Sequence, residues 1–226
     1  MKYIIQPGIQ IGNLKNEIIK VLTPEEIEDY RKRGYQCKEQ AYHLTSGRTG
    51  YEIICVEIWK KGDKEHSLVI PAFLVPHRVY SVYVYVFAIN LYSSKPRLGQ
   101  RKVAEETRKK FGLKTFAHTT VGRAMKALAR TLAETAPIGT EATEDGVQET
   151  EQNEANANKV RKKRFPSVQD TSEIRKTVKS FFYERLKNRE QEEFIDTCDR
   201  IAIYWFTHFH RLLMNTAPVF GSKLSM

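Results

Sequence analysis

The stretch Val103-Ala-Glu-Glu-Thr-Arg-Lys-Lys-Phe-Gly-Leu-Lys-Thr-Phe-Ala-His-Thr-Thr-Val-Gly-Arg-Ala-Met-Lys-Ala-Leu128 decides how the rest of this chain is read. Val103, Ala104, Thr107 and Phe111 share one face of a first helix, at the three- and four-residue steps of helical periodicity. Gly112 can take the left-handed conformation that ends it, and Leu113 plugs the turn. After His118, either Thr119 or Thr120 can cap a second helix, whose inner face is Val121, Ala124, Met125, Leu128 and Leu132. Its opposite face shows Arg123, Lys126, Ala127 and Arg130. This is the layout of a helix-turn-helix with a long turn. A recognition helix needs a small polar N-terminal end to enter the major groove, and Arg or Lys to meet guanine edges and phosphates. An ordinary helical hairpin with a solvated basic face is the competing reading of the same pattern.

Charge layout favours the first. The 226 residues carry 37 Lys+Arg against 27 Asp+Glu, a formal net charge of +10 that suggests an anionic partner. From position 95 to 130 there are eleven Lys and Arg against Glu105 and Glu106. Positions 134–154 hold seven acidic residues and no Lys or Arg, with Pro137, Gly139, Gly146 and no hydrophobic period, which predicts a disordered linker. Lys159, Arg161, Lys162, Lys163 and Arg164 come directly after it, either a solvated linker end or an arm that meets phosphates. The candidate DNA-binding residues are thus Thr119, Thr120, Arg123, Lys126 and Arg130 on the second helix, Arg101 and Lys114 before it, and Lys162 and Arg164 in the basic run. Duplex DNA is the expected partner.

Outward from this core, the first segment mixes β-prone runs with one short helix. Thr23-Pro24-Glu25-Glu26 is a capping box with Pro in the first turn, and Gly34 supplies the stop. Tyr51-Glu-Ile-Ile-Cys-Val-Glu-Ile-Trp59, bounded by Gly50 and Gly62, reads as a strand, and so does the run from Met1 to Gln6. Pro71 and Pro76 bracket an extended segment at 72–75. The run 80–92 is ambiguous: Val and Tyr favour a strand, while its length and Ser81 as an N-cap permit a buried helix. Beyond the linker, Ser172 can cap a helix bearing Ile174, Val178, Phe181, Phe182 and Leu186. A second helix carries Phe194, Cys198, Ile201, Ala202, Trp205, Phe206, Phe209 and Leu213. Their apolar face must be covered by the rest of the chain or by a second copy, so a homodimer through these helices is a candidate assembly.

The fold class expected is α+β, in four regions: a strand-rich, ribbon-like part at 1–68, the helix-turn-helix at 69–133, the acidic-then-basic linker at 134–170 and a C-terminal helical hairpin at 171–216. No apolar run reaches the roughly 18–20 residues of a membrane span. The N-terminus lacks the pattern of a signal peptide, and three scattered cysteines make no disulfide scaffold, so a reducing cytoplasm is the expected setting.

The stretch from Val103 to Leu128 also looks like the helix-turn-helix of bacterial transposases and their relatives. With the upstream phrase Ile70-Pro-Ala-Phe-Leu-Val-Pro-His-Arg-Val-Tyr-Ser81 it resembles an uncharacterised bacterial family that couples a small zinc ribbon to such a helix-turn-helix. The resemblance covers about residues 35–132. It implies that 80–92 is a helix, and that the protein works on DNA in the bacterial cytoplasm, at the nucleoid. The chain departs from the family where the metal should sit. Cys37 is followed by Lys38, Glu39 and Gln40 rather than a second cysteine, and positions 59–66 have none. Cys37, His43, Cys55 and His66 fit no common zinc spacing, so the expectation is a degenerate ribbon without zinc or other cofactor.

Catalysis is not expected. A transposase needs three spaced carboxylates holding two metal ions on an α/β core, and the 94 residues beyond Leu132, much of them linker, leave too little chain for one. No Gly-rich phosphate loop, GxSxG or HExxH is present. The sequence therefore predicts an accessory, regulatory or remnant DNA-binding protein related to mobile elements, with a helical protein-interaction module as the alternative.

Overall fold

The computed structural model describes residues 1–9, 11, 18–46, 49–95, 97–135, 171–186, 191–214 and 223–224. It is α+β, with strands concentrated in the N-terminal part and helices after them. Positions 134 and 135, expected to open the linker, are helical; 136–170, including Lys162 and Arg164, lie outside the described residues.

The sheet is organised around β4 (Thr49–Lys60). One edge pairs along its whole length, antiparallel, with β3 (Tyr35–Ser46). The other edge is shared: β2 (Ile18–Lys20) runs parallel to Glu52, Ile53 and Ile54, and β5 (Ser67–Pro71) runs antiparallel to Val56, Glu57 and Ile58. Next to β5 comes β1 (Lys2–Gln6), parallel to it, and then the two-residue β6 (Lys223–Leu224), parallel to β1. Helix α1 (Pro24–Lys32) packs on β3. It starts as the capping box requires: the Glu26 amide donates to Thr23 Oγ1 at 3.2 Å and the Thr23 amide to a Glu26 carboxylate oxygen at 2.7 Å. Gly34, at φ +83°, supplies the left-handed residue after it.

Four strands, β2, β3, β5 and β6, escape the sequence reading, and the boundary placed at 68/69 falls inside β5. The segment 72–75 is a turn rather than extended, with the Leu74 amide bonded to Pro71 O at 3.2 Å. Pro71 is instead the last residue of β5, a position where its missing N–H costs no interior ladder bond.

The ambiguous run becomes α2 (Val82–Ser94), with Ser81 in extended backbone at its N-cap. Eight of its first twelve residues would suit a strand, yet the helix is buried on almost every side. That burial settles the choice, because an all-apolar helix suits a site enclosed by other elements. The enclosing elements are α3 (Gln100–Phe111), α4 (His118–Thr135), α5 (Thr171–Leu186) and α6 (Gln191–Phe209). One hydrophobic core runs from the sheet through α2 into the C-terminal helices. The cover for α5 is thus α2 and α4 of the same chain. Arg175 of α5 stacks on Tyr92 of α2 at 3.8 Å and donates to Leu98 O at 3.0 Å. Helix α5 begins at Thr171, one residue ahead of the cap expected at Ser172. Helix α6 ends at Phe209, so Leu213 is not helical; it is buried in the turn beyond, after His210 has taken φ +50°.

Candidate nucleic-acid interface

Helices α3 and α4 form the expected pair. Gly112 caps α3 at φ +62°, its amide reaching back to the last turn, and Leu113 and Phe116 are buried in the connection. The phenol of Tyr80 donates to Thr115 O, and Arg108 donates to Phe116 O at 3.4 Å, so the turn is tied to α3 and to the loop that precedes α2. Gly122 faces the end of a side chain of α3: a Cβ at 122 would sit about 3.0 Å from the rotatable amide of Gln100.

Val121, Ala124, Met125 and Leu128 are buried, as their spacing predicts, and Leu132 is half-buried. The opposite stripe, Thr119, Arg123, Lys126 and Arg130, advances by four, three and four residues and is exposed throughout. Over about three turns it offers three cations in one line on a helix roughly 27 Å long. From His118 to Ala133 the helix has no acidic residue. Helix α3 differs. Its cations Lys102 and Lys109 are paired to Glu105 and Glu106 at 3.0–3.9 Å. Hydrogen bonds from Lys109 and Lys102 hold the Glu105 carboxyl below the usual carboxylate range. Both helices are net positive, since α3 also carries Arg101, Arg108 and Lys110; what sets α4 apart is a line of cations with no acidic residue before Glu134.

The threonines do not cap α4. The helix already includes His118, and the Thr120 amide bonds to Ala117 O at 3.0 Å, placing Thr119 and Thr120 within the first turn. Thr119 is exposed and Thr120 half-buried. Arg101 is exposed at the start of α3 and Lys114 is exposed in the turn.

Beside α4 lies a feature that the sequence reading did not assign. The loop at 77–80 emerges from the buried 71–76 segment, anchored where the Thr45 amide bonds to Val79 O at 2.8 Å and the Val82 amide to Phe73 O at 2.9 Å. His77, at φ +64°, turns in left-handed backbone that His adopts more readily than most residues. His77 and Arg78 are exposed, and Val79 is 56% exposed. Between this loop, α4 and Met214 is a cavity of about 370 Å³, whose walls include Arg78, Tyr80, Tyr85, Thr120 and Arg123. Burial pushes the Tyr85 phenol up to about 12, with the Arg78 charge pulling the other way. On the far side of the loop a second hollow of about 590 Å³ is shared with Tyr42 and His43 of β3. A Pro-His-Arg phrase between apolar runs is the only sequence signal for this loop.

The residues weighed for zinc are dispersed over the sheet. Cys37, half-buried on β3, lies opposite Ile58, and its thiol is 3.9 Å from Ile27 O. Cys55 lies opposite Gln40, with its thiol pushed up to about 12 by burial. His66 places Nδ1 2.7 Å from the Glu57 carboxylate and stacks on Trp59 at 4.9 Å. Among the described residues no three His, Cys, Asp or Glu side chains gather as a metal site requires, and no helix is long and apolar enough to cross a membrane.

No family model, no curated protein and no solved structure matches the chain.

Proposed function

We propose that this protein binds double-stranded DNA through α4, as an accessory or regulatory protein related to mobile elements and without a catalytic core of its own. The observation that carries the reading is the stripe Thr119, Arg123, Lys126 and Arg130. It is exposed, lies on a helix with no acidic residue from His118 to Ala133, and is backed by a buried apolar face that holds the helix rigid. On the neighbouring α3, Lys102 and Lys109 are paired to Glu105, whereas the stripe of α4 has no acidic residue of its own helix before Glu134. The resemblance to transposase-like helix-turn-helices supports the same reading. On it, the protein belongs at the bacterial nucleoid.

In this mode Arg123, one turn into the helix, meets a base edge, and Arg130 meets the flanking backbone. A binding titration at several salt concentrations, on a site selected from random duplexes and on a scrambled one, tests this. Arg123→Ala should weaken the selected site by about 1–3 kcal/mol and the scrambled one less. Arg130→Ala should weaken both alike and flatten the salt dependence by about one unit. If both variants bind like the parent, α4 is not the reader.

Assembly through the C-terminal helices is a second reading, favoured by one observation: Tyr204 is 41% exposed within an aromatic group that includes Phe181, His208 and Phe209. Sedimentation of the parent and of Tyr204→Glu checks it; a parent that remains monomeric at high concentration sets it aside.

A further inference from the structure

We infer that the cleft beside α4 receives an unpaired nucleotide, so that the preferred nucleic acid is a duplex carrying a single-stranded extension. This rests on the reading of α4 as the duplex-binding helix. Three observations carry it. The first is size: the cavity of about 370 Å³ lies in the range of small-ligand pockets and far below what a duplex would need. It is also not closed off as a metabolite site would be. It adjoins the hollow of about 590 Å³ beside β3, the two lying on either side of His77, Arg78 and Val79.

The second is chemistry. Among the described residues no acidic side chain lines either hollow, while Arg78 and Arg123 enter the first from different elements. Cations spaced along a groove track a phosphate backbone, and aromatic rings between them stack bases without regard to sequence. Tyr80, half-buried, supplies a ring in the first hollow, and Tyr42, set edge-on to His77 at 6.3 Å, in the second. The third is continuity: Arg123 belongs both to the exposed stripe of α4 and to the wall of the cleft. A strand leaving a duplex held on α4 would meet the cleft directly.

The test compares the full-length protein on a blunt duplex and on the same duplex with a short oligothymidylate tail at either end. Stacking of one or two bases should tighten binding about tenfold for one of the two tail polarities. Arg78→Ala should remove that gain while leaving blunt-duplex affinity nearly unchanged; Arg123→Ala should weaken both. Because Arg78 also reaches Met214 O at 3.5 Å, photo-crosslinking of the parent with 5-iodouracil in the tail provides a readout independent of the variant. The crosslinked peptide should contain residues 77–80. Blunt duplex bound as tightly as both tailed forms, or crosslinks mapping away from the cleft, would overturn the inference and leave the reading of α4 standing. Failure to bind any duplex would overturn that reading and the inference with it.

Discussion

Asp199 has the most unusual environment of any carboxylate among the described residues. It sits on α6 facing α2, where burial, and secondarily the charge of Asp196, pushes its carboxyl up to about 7. The Tyr83 phenol donates to it at 3.0 Å, which favours the ionised form without offsetting the desolvation. Below about pH 4 both folded and unfolded chains hold this proton. Between about 4 and 7 the unfolded chain releases it and the folded one retains it, so stability falls as pH rises through that window and levels off above it. Asp199→Asn keeps an acceptor for Tyr83 and removes the charge. The variant should melt higher than the parent at pH 8, with the difference shrinking towards pH 4. A difference constant across thermal melts from pH 4 to 8 would show that the carboxyl is not titrating there. None of this was readable from the sequence, where Asp199 is one acid among several on a helix; its partner lies on another element, 116 positions away.

At the scale of elements, the two glycines of the α3–α4 pair should respond in opposite senses. Gly112 stands at φ +62° with no freedom to change, so Gly112→Ala should cost about 1–2 kcal/mol for left-handed backbone. Gly122 is helical, and the group nearest its missing Cβ is the rotatable amide end of Gln100. Gly122→Ala should therefore stabilise by about 0.5–1 kcal/mol, the helix-propensity difference, as Gln100 swings aside. Chemical denaturation of both variants checks the pair; a destabilised Gly122→Ala would mean that Gln100 is held in place. Gly112 and the inner face of α4 were legible because a glycine stop and helical spacing are local signals; Gly122 was not, since its neighbour Gln100 lies on another helix. Strand β3 was not. Its twelve residues include Gln36, Lys38, Glu39 and Gln40, and the strand is held by its full-length pairing to β4 rather than by an apolar pattern of its own. Gln40 donates to the buried Glu57 at 2.6 Å, a cross-strand bond that makes polar residues acceptable there and hides the strand from any hydrophobic count.

For the molecule as a whole, the helix-turn-helix does not stand apart from the C-terminal helices. Helix α2 is its third wall, and α5 and α6 cover α2 on the side that α3 and α4 leave open. A chain ending after Thr135 should expose Tyr83 and Tyr92, or leave them poorly packed, because both are buried and meet Asp199 of α6 and Arg175 of α5. Such a truncation is expected to bind a hydrophobic dye and to lose cooperative melting, whereas the parent melts cooperatively. A truncated chain that melts like the parent would show that α5 and α6 add no necessary cover. Sequence reading identified the apolar faces of α5 and α6 but left open what covered them, since periodicity specifies that a face is buried and not which partner buries it. The enclosure of α2 also has a history in the making of the protein. The ribosome delivers α2 before every helix that surrounds it, and Tyr83 precedes its partner Asp199 by 116 residues. At synthesis rates of about 5–20 residues per second, that interval is on the order of 6–23 s. For those seconds the most apolar helix of the chain is outside the tunnel without its final neighbours, long enough for a nascent-chain chaperone to hold it and for slower translation to raise the yield of folded protein.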